Sequence, residues 1–375
     1  MIVGILKEFN QDEKRVAATP ETAKKFVDHG LKVLIEKDAG SLANFDDSFY
    51  LEVGAEIKSS KSDILNSSDL IVMVSSILEN SHLQLLKESS TVIGMFNPYE
   101  NISKLSKLAT KRINTISLDL LPRISRAQSM DVLSSQANLA GYRAVIEASN
   151  LFKKALPMMM TAAGTIAPAK CLIVGAGVAG LQAIATAKRL GCIVNVFDVR
   201  PEVEEQVKSL GAKFVKVENK ESSEQASVYA KEMSEDYKLK QSEQISKVAK
   251  DSDIIVTTAL IPGKPAPKLI TNNTIKSMKK GSVIIDLAGS AGGNTESTKY
   301  RETLEVEGVK IYAPGNLPSS ISKDSSLLYS KNIFNFVSHL LGEKKSINLD
   351  TEDEIISESI IIKYGKKTKN FFEGN

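Results

Sequence analysis

The stretch Lys170-Cys-Leu-Ile-Val-Gly175-Ala-Gly177-Val-Ala-Gly180-Leu-Gln-Ala constrains this chain more than any other. A run of buried type, Cys171 to Val174, breaks into Gly-x-Gly-x-x-Gly and passes directly into a helical pattern. Each glycine has its own physical task. Gly175 permits a tight strand-to-helix turn, Gly177 lets the backbone approach a pyrophosphate, and Gly180 lets the helix lie close to the sheet. The phosphates would sit on the free N–H groups at the helix start. The helix runs to Leu190 and stops at Gly191; a second apolar run, Ile193 to Phe197, ends at Asp198. That acid stands about 20 residues past the third glycine, where a carboxylate binds a ribose diol. It would repel the 2′-phosphate of NADP, so NAD is expected, although Arg200 is of the type that accepts such a phosphate. The competing reading is a glycine turn in an α/β domain that binds no nucleotide. Strand, glycines, helix, strand and acid in register favour the dinucleotide.

At 375 residues the chain exceeds what one core usually supports, so two domains are expected. A formal charge of +3 is small for that length and argues against a nucleic-acid partner. Cys171 and Cys192 both open apolar strands and read as reduced core residues. His29, His82 and His339 are scattered and make no metal-ligand spacing, so no metal is expected. The N-terminus has no charged leader followed by an apolar stretch, and no run is long enough to span a bilayer. Met158-Met-Met-Thr-Ala-Ala-Gly164 is the most apolar segment and reads as core or interface packing.

Along the chain, strands are expected at Ile2–Leu6, Leu31–Ile35, Asp69–Val74, Thr91–Phe96 and Arg112–Leu118, alternating with helical patterns. Thr19 caps a helix with Pro20 at its first position. That alternation means a doubly wound parallel sheet. The polar stretch Leu121 to Asp131 interrupts it and precedes a long helix from about Val132 to Lys154, read as a buried connector. Later strands end at Thr258, Asp286 and Ala313, and each leads into small or polar residues, where α/β sheets bind ligands. Leu327–Leu341 reads as a helix returning to the first domain, and the basic tail after Gly365 as mobile. The expected domains are 1–134 with 316–375, and 135–315, both Rossmann-like. Between Phe214 and Ile254 lies an insertion rich in Glu, Lys, Ser and Gln. Its length fits a lid over 220–245, while a solvated helix covers Glu232 to Lys250 equally well.

Chemistry is marked by what is missing. No Ser/His/Asp, Cys/His or metal constellation appears, and nothing serves as general base for oxidising an alcohol or amine. Hydride transfer between two nicotinamides moves no proton to or from a heteroatom. It needs positioning and exclusion of water.

Several motifs together carry a resemblance over nearly the whole chain. They are Arg15-Val-Ala-Ala-Thr-Pro20, Pro122-Arg-Ile-Ser-Arg-Ala-Gln-Ser-Met-Asp131, Ser134-Ser-Gln-Ala-Asn-Leu-Ala-Gly-Tyr-Arg143, the Pro157–Gly164 segment, the glycine turn, and Thr257-Thr-Ala-Leu-Ile-Pro-Gly-Lys-Pro-Ala-Pro267. With these the chain resembles the NAD(H)-binding domain I of proton-translocating NAD(P) transhydrogenases, in the alanine dehydrogenase/transhydrogenase superfamily. The resemblance implies two Rossmann-like domains joined by long helices and a homodimer. It implies NAD(H) on this chain and NADP(H) on a partner subunit. A membrane-spanning proton-channel subunit would hold the complex at the inner, cytoplasmic face of the cell membrane.

Carried over by position, Arg123, Gln128, Asp131 and Ser134 form the loop that orients the nicotinamide. Ile124, Ser125 and Arg126 would also reach the cofactor. Val178 and Ala179 lie at the glycine turn, Asp198, Val199 and Arg200 at the adenosine ribose, and Leu260 at the adenine. Val228, Tyr229, Met233 and Gln241 belong to a mobile loop that folds over the nucleotide.

Alanine dehydrogenases are the nearest competing relatives and share Arg15, where their substrate carboxylate binds. Their lysine and histidine are absent from Ile71-Val-Met-Val-Ser75 and Gly94-Met-Phe-Asn-Pro98. A nucleotide-binding module without catalysis is the remaining alternative.

Overall fold

A computed structural model describes residues 1–110, 112–216, 235–261, 263–342 and 346–372. The chain divides into two compact units, Met1–Gln136 with Pro318–Asn375, and Ala137–Leu317. The first unit starts with β1 (Ile2–Ile5), α1 (Pro20–Asp28) and β2 (Lys32–Glu36). Pro20 opens α1 as expected, and the Thr19 N–H donates to Thr22 Oγ1 at 2.9 Å. Strands β3 (Glu56–Lys58), β4 (Leu70–Val72), β5 (Thr91–Gly94) and β6 (Asn114–Ser117) follow. Helix α2 (Val132–Leu151) carries the chain across the boundary at Gln136.

The second unit holds the hairpin β7 (Met159–Thr161) and β8 (Gly164–Ile166), then β9 (Lys170–Val174), α3 (Val178–Arg189), β10 (Ile193–Phe197) and β11 (Lys213–Phe214). Helix α4 (Glu235–Asp251), β12 (Ile254–Thr257), β13 (Val283–Asp286), β14 (Thr303–Val306) and β15 (Val309–Tyr312) complete it. The chain then returns to the first unit with α5 (Ser322–Leu341), α6 (Glu354–Ser359), β16 (Ile360–Lys363) and β17 (Lys366–Lys367).

Both units are Rossmann-like sheets. The first orders its strands β17-β16-β6-β5-β4-β1-β2-β3, parallel except where β16 meets β6 and β17. The second reads β11-β10-β9-β12-β13-β15-β14, with β14 alone antiparallel among the described pairs. Successive side chains of a strand point to opposite faces. Cys171 and Ile173 therefore enter one core, with Ala183, Ile184 and Ala187 of α3, while Leu172 and Val174 enter the other, with Ile245 and Ala249 of α4. Strands covered on both faces read as unbroken apolar runs, which is why they are visible in the sequence.

The structure corrects four expectations. Strands β3 and β14 were missed because Glu56-Ile-Lys58 and Thr303-Leu-Glu-Val306 are edge strands with polar residues, not apolar runs. The apolar Met158–Gly164 segment is not core: Met158 is 60% and Met160 76% exposed on a hairpin. Helix α4 is not wholly solvated, since Gln241, Ile245 and Ala249 are buried along one face. Residues Val228, Tyr229 and Met233 of that insertion lie outside the described residues.

The tail, expected to be mobile, is ordered through Phe372. Lys366 and Lys367 are exposed on the edge strand β17, and Phe372 is buried among Phe96, Leu105 and Ile362. Basic composition marked a solvated edge and not disorder. Phe372→Ala should therefore cost about 3 kcal/mol of stability. Urea unfolding of the variant checks this; an unchanged midpoint would show that the tail contributes nothing.

Candidate functional site

The second unit's chain order reverses between β9 and β12, so the loops leaving their carboxyl ends flank the switch point. After β9 comes the glycine turn. Gly175 has φ +104°, and a Cβ there would meet Thr258 Oγ1 at 2.4 Å. A Cβ on Gly180 would lie 1.8 Å from the Gly175 carbonyl oxygen. Those two glycines are explained by the protein's own packing. Gly177 is not: a Cβ there would meet nothing within 4 Å. Its bare backbone leaves open space beside the α3 N-terminus, whose first N–H groups have no intrahelical acceptor. That is the cradle a pyrophosphate needs.

Sequence reasoning missed three supports of this turn. Thr258 donates its N–H to the Val174 carbonyl at 2.8 Å and its Oγ1 to the Gly175 carbonyl at 3.1 Å. Gly141 of α2 passes so near α3 that a Cβ would fall 2.0 Å from the Ala179 oxygen. Asn294, fully buried, accepts from the Ala259 N–H at 3.0 Å and donates to the Ala259 and Pro267 carbonyls at 2.8 and 2.9 Å. It thereby holds the loop that carries Leu260, which is 53% exposed. The N–H of Asn294 donates in turn to Asp286 at 2.7 Å. Asp286 ends an apolar strand just as Asp198 does, but it is fully buried and also bonded by Thr257 and Thr298. The same sequence signal thus marks an acid gripped by a half-exposed arginine in one strand and an internal brace in the other. Their partners distinguish them, a half-exposed arginine for Asp198 and buried backbone for Asp286, since the Asp198 side chain is itself only 5% exposed.

Asp198 accepts from the Ala176 N–H at 2.6 Å and from the Arg200 N–H at 2.8 Å, and the Arg200 guanidinium grips both its oxygens at 3.0 Å. Burial alone would raise its pKa; the Arg200 side chain and the two backbone donors outweigh that and hold it below the usual range. Val178 and Val199 are each 39% exposed. Gln241 is 6% exposed within α4.

The second group of candidate residues lies in the first unit. The loop from Arg123 to Ser134 presents Arg123, Ser125, Arg126 and Gln128 to solvent. Ala127, Met130 and Val132 are buried in the core beneath, with Ile124 packed against it. Asp131 caps α2: its carboxylate accepts from the Ser134 N–H at 2.9 Å and from Ser134 Oγ at 2.6 Å. Arg126 lies 3.6 Å from Asp353, which also bonds His339 at 2.6 Å.

The first unit's own switch point, between β1 and β4, is closed by side chains. The Glu8 carboxylate accepts from the N–H groups of Val74, Ser75 and Ser76 at 2.6, 3.1 and 2.8 Å. Desolvation raises its pKa against those bonds. Arg15 is held by Glu13 through Nε at 2.7 Å and Nη2 at 2.6 Å, and donates Nη1 to Gln136 at 2.8 Å. Burial works to raise the Glu13 pKa, but Arg15 lowers it overall. Phe96 is 2% exposed. Cys171 and Cys192 are free and buried, and burial pushes the Cys192 thiol up to about 11. Among the described residues no cluster could hold a metal ion, and no helix is long and apolar enough to cross a membrane.

Comparison with known proteins agrees with this architecture. Residues 4–140 match the alanine dehydrogenase/PNT N-terminal domain and residues 144–370 the alanine dehydrogenase/PNT C-terminal domain. The chain is 47% identical over 369 residues to the first portion of the NAD(P) transhydrogenase alpha subunit of Rickettsia prowazekii, covering 98% of this chain and 96% of that one. It superposes on the crystal structure of transhydrogenase from Sinorhizobium meliloti with a TM-score of 0.89 at 41% identity, covering 98% and 100% of the two chains. An L-alanine dehydrogenase structure, at TM-score 0.82 and 22% identity over 100% and 98%, shares the fold. The chain belongs to the alanine dehydrogenase/PNT family, among its NAD(P) transhydrogenase alpha subunits.

Proposed function

We propose that this chain binds NAD(H) at the glycine turn of its second unit and exchanges hydride directly with NADP(H) held on a partner subunit. The observation that carries the reading is Gly177, whose missing side chain nothing inside the protein requires. The α3 N-terminus would take the pyrophosphate, with the backbone of Val178 and Ala179 nearest. Asp198 would exchange its side-chain bonds from Arg200 for the adenosine ribose diol, a step its lowered pKa favours because the carboxylate stays ionised. Val199 and Leu260 offer exposed apolar surface for the adenosine end. In this reading Val228 and Tyr229 come from the element that folds over the nucleotide, while Gln241, buried on α4, is fixed by packing and does not.

The bound dinucleotide supplies the hydride. The chain supplies position: Arg123, Gln128, Asp131 and Ser134, with Ile124, Ser125 and Arg126, orient the nicotinamide, and no proton donor is required. The absence of acid–base work fits the first unit, where Arg15 is spent on Glu13 and Gln136 and Phe96 fills the region after β5. An amino-acid dehydrogenase would need Arg15 for its substrate carboxylate, and a lysine and a histidine that are absent from Ile71–Ser75 and Gly94–Pro98. The homodimer is supported by the exposed apolar hairpin around Met158–Met160 and Ile166, a surface of the kind a second chain covers. The partners are an NADP(H)-binding subunit and a membrane-spanning proton-channel subunit, which would keep this chain at the cytoplasmic face of the cell membrane.

Mixed with a separately made NADP(H)-binding subunit, the chain should pass hydride from NADH to NADP, followed by chromatographic separation of NADPH from NADH because the two absorb alike; no transfer in that mixture ends the reading. In the same assay Gln128→Asn should lower the rate at least about tenfold while NADH affinity changes less than about twofold. Gly177 and Gly180 should behave differently. Gly177→Ala, at φ −74°, should fold with stability within about 1 kcal/mol of the parent yet lose NADH binding, measured by fluorescence titration. Gly180→Ala, forced onto the Gly175 carbonyl, should lose stability as well. Normal NADH affinity in Gly177→Ala would refute the proposed phosphate site.

A further inference from the structure

The reaction loop is held from below by two amides of α5. Asn332 donates Nδ2 to the Ser129 carbonyl at 2.8 Å, and Asn335 donates Nδ2 to the same oxygen at 3.0 Å. The two residues stand three apart and share a face of the helix. Between and beyond them Ile333, Phe336 and Val337 are buried in the first unit's core, so the donors sit on a rigid element. A carbonyl oxygen has two lone pairs, and here one helix fills both. That fixes the Ser129–Met130 peptide, one residue past Gln128, within the short turn Ser125–Met130.

Stability does not explain Asn332. It is 9% exposed, and its Oδ1 is buried without a hydrogen-bond partner. A buried orphan acceptor is a cost, and an apolar side chain of similar size would avoid it. The position keeps an amide for what its other end does. Resting on the reading that Gln128 meets the nicotinamide, we infer that Asn332 and Asn335 are positioning residues for hydride transfer: their paired hydrogen bonds to Ser129 aim the Gln128 backbone. Transfer is steep in geometry, and a 1 Å displacement can cost about a hundredfold in rate. NADH binding at the glycine turn of the second unit does not use this clamp.

The test uses the chain reconstituted with its NADP(H)-binding subunit and reads hydride-transfer rate beside NADH affinity. Asn335→Asp keeps the shape and replaces the donor by an acceptor; its half-buried place on α5 allows the fold to persist, which a thermal melt checks. We expect it to lower kcat about three- to tenfold, and N332A/N335A to lower it more than tenfold, with NADH affinity within about twofold of the parent. Rates within twofold of the parent for both variants, while Gln128→Asn slows the same assay, would overturn the inference and leave the functional reading intact. A loss of rate matched by an equal loss of NADH affinity, or by a fall in the Asn335→Asp melting point, would also overturn it by making the amides merely structural. If Gln128→Asn itself has no effect, the reading fails and takes the inference with it.

Discussion

The approach of α3 to the carboxyl end of β9 decides most of what the second unit can be. With hydrogen in place of a Cβ at Gly180, the helix reaches the Gly175 carbonyl; with a methyl it would sit 1.8 Å from that oxygen. The close approach lets Thr258 bridge from β12 to the turn, and it brings the Ala259–Leu260 loop to the same crevice edge. Gly141 extends the same logic to α2, whose backbone lies against Ala179. Protein interiors are close-packed and barely compressible, so a one-carbon change at such a contact is transmitted into the sheet. The helix N-terminus is therefore aimed by packing before any ligand arrives.

Two sheets of one architecture have been put to different uses. In the second unit the switch point is left open, lined by a bare glycine and an acid whose side-chain partner is the half-exposed Arg200. In the first unit the equivalent place is filled from within, Glu8 satisfying three backbone donors and Glu13 pairing with a buried Arg15. Breaking such a buried pair typically costs about 3–5 kcal/mol, because the remaining charge is left without a partner. The first unit leaves its loop from Arg123 to Ser134 exposed at the surface, and the C-terminal helix α5 supports it.

How much was legible depended on whether a residue's role is local. The glycine turn, Pro20 at the start of α1 and the apolar strands were readable because tight turns, caps and double-sided burial act within a few residues of chain. Asn294 and Asn332 were not readable. Each bonds backbone far away in sequence, Asn294 to Ala259 and Asn332 to Ser129, and an isolated asparagine gives no sign of its partner. The core alternative for the hairpin, and the mobile tail, failed for a related reason. Composition reports what a segment is made of, while exposure depends on what else packs there: Met160 is 76% exposed despite its apolar neighbours, and Phe372 is buried despite its basic ones.

By itself the sequence determined the class of fold, the glycine turn and the family, since periodicity, glycine spacing and motif order are properties of the chain alone. Tertiary structure decided which of two terminal acids pairs with a half-exposed arginine, Asp198, and which braces buried backbone, Asp286, and which of two switch points is open. The physical reason is that burial and hydrogen-bond satisfaction are relations between distant segments. They come into existence only when the sheets have formed and their loops compete for the same space.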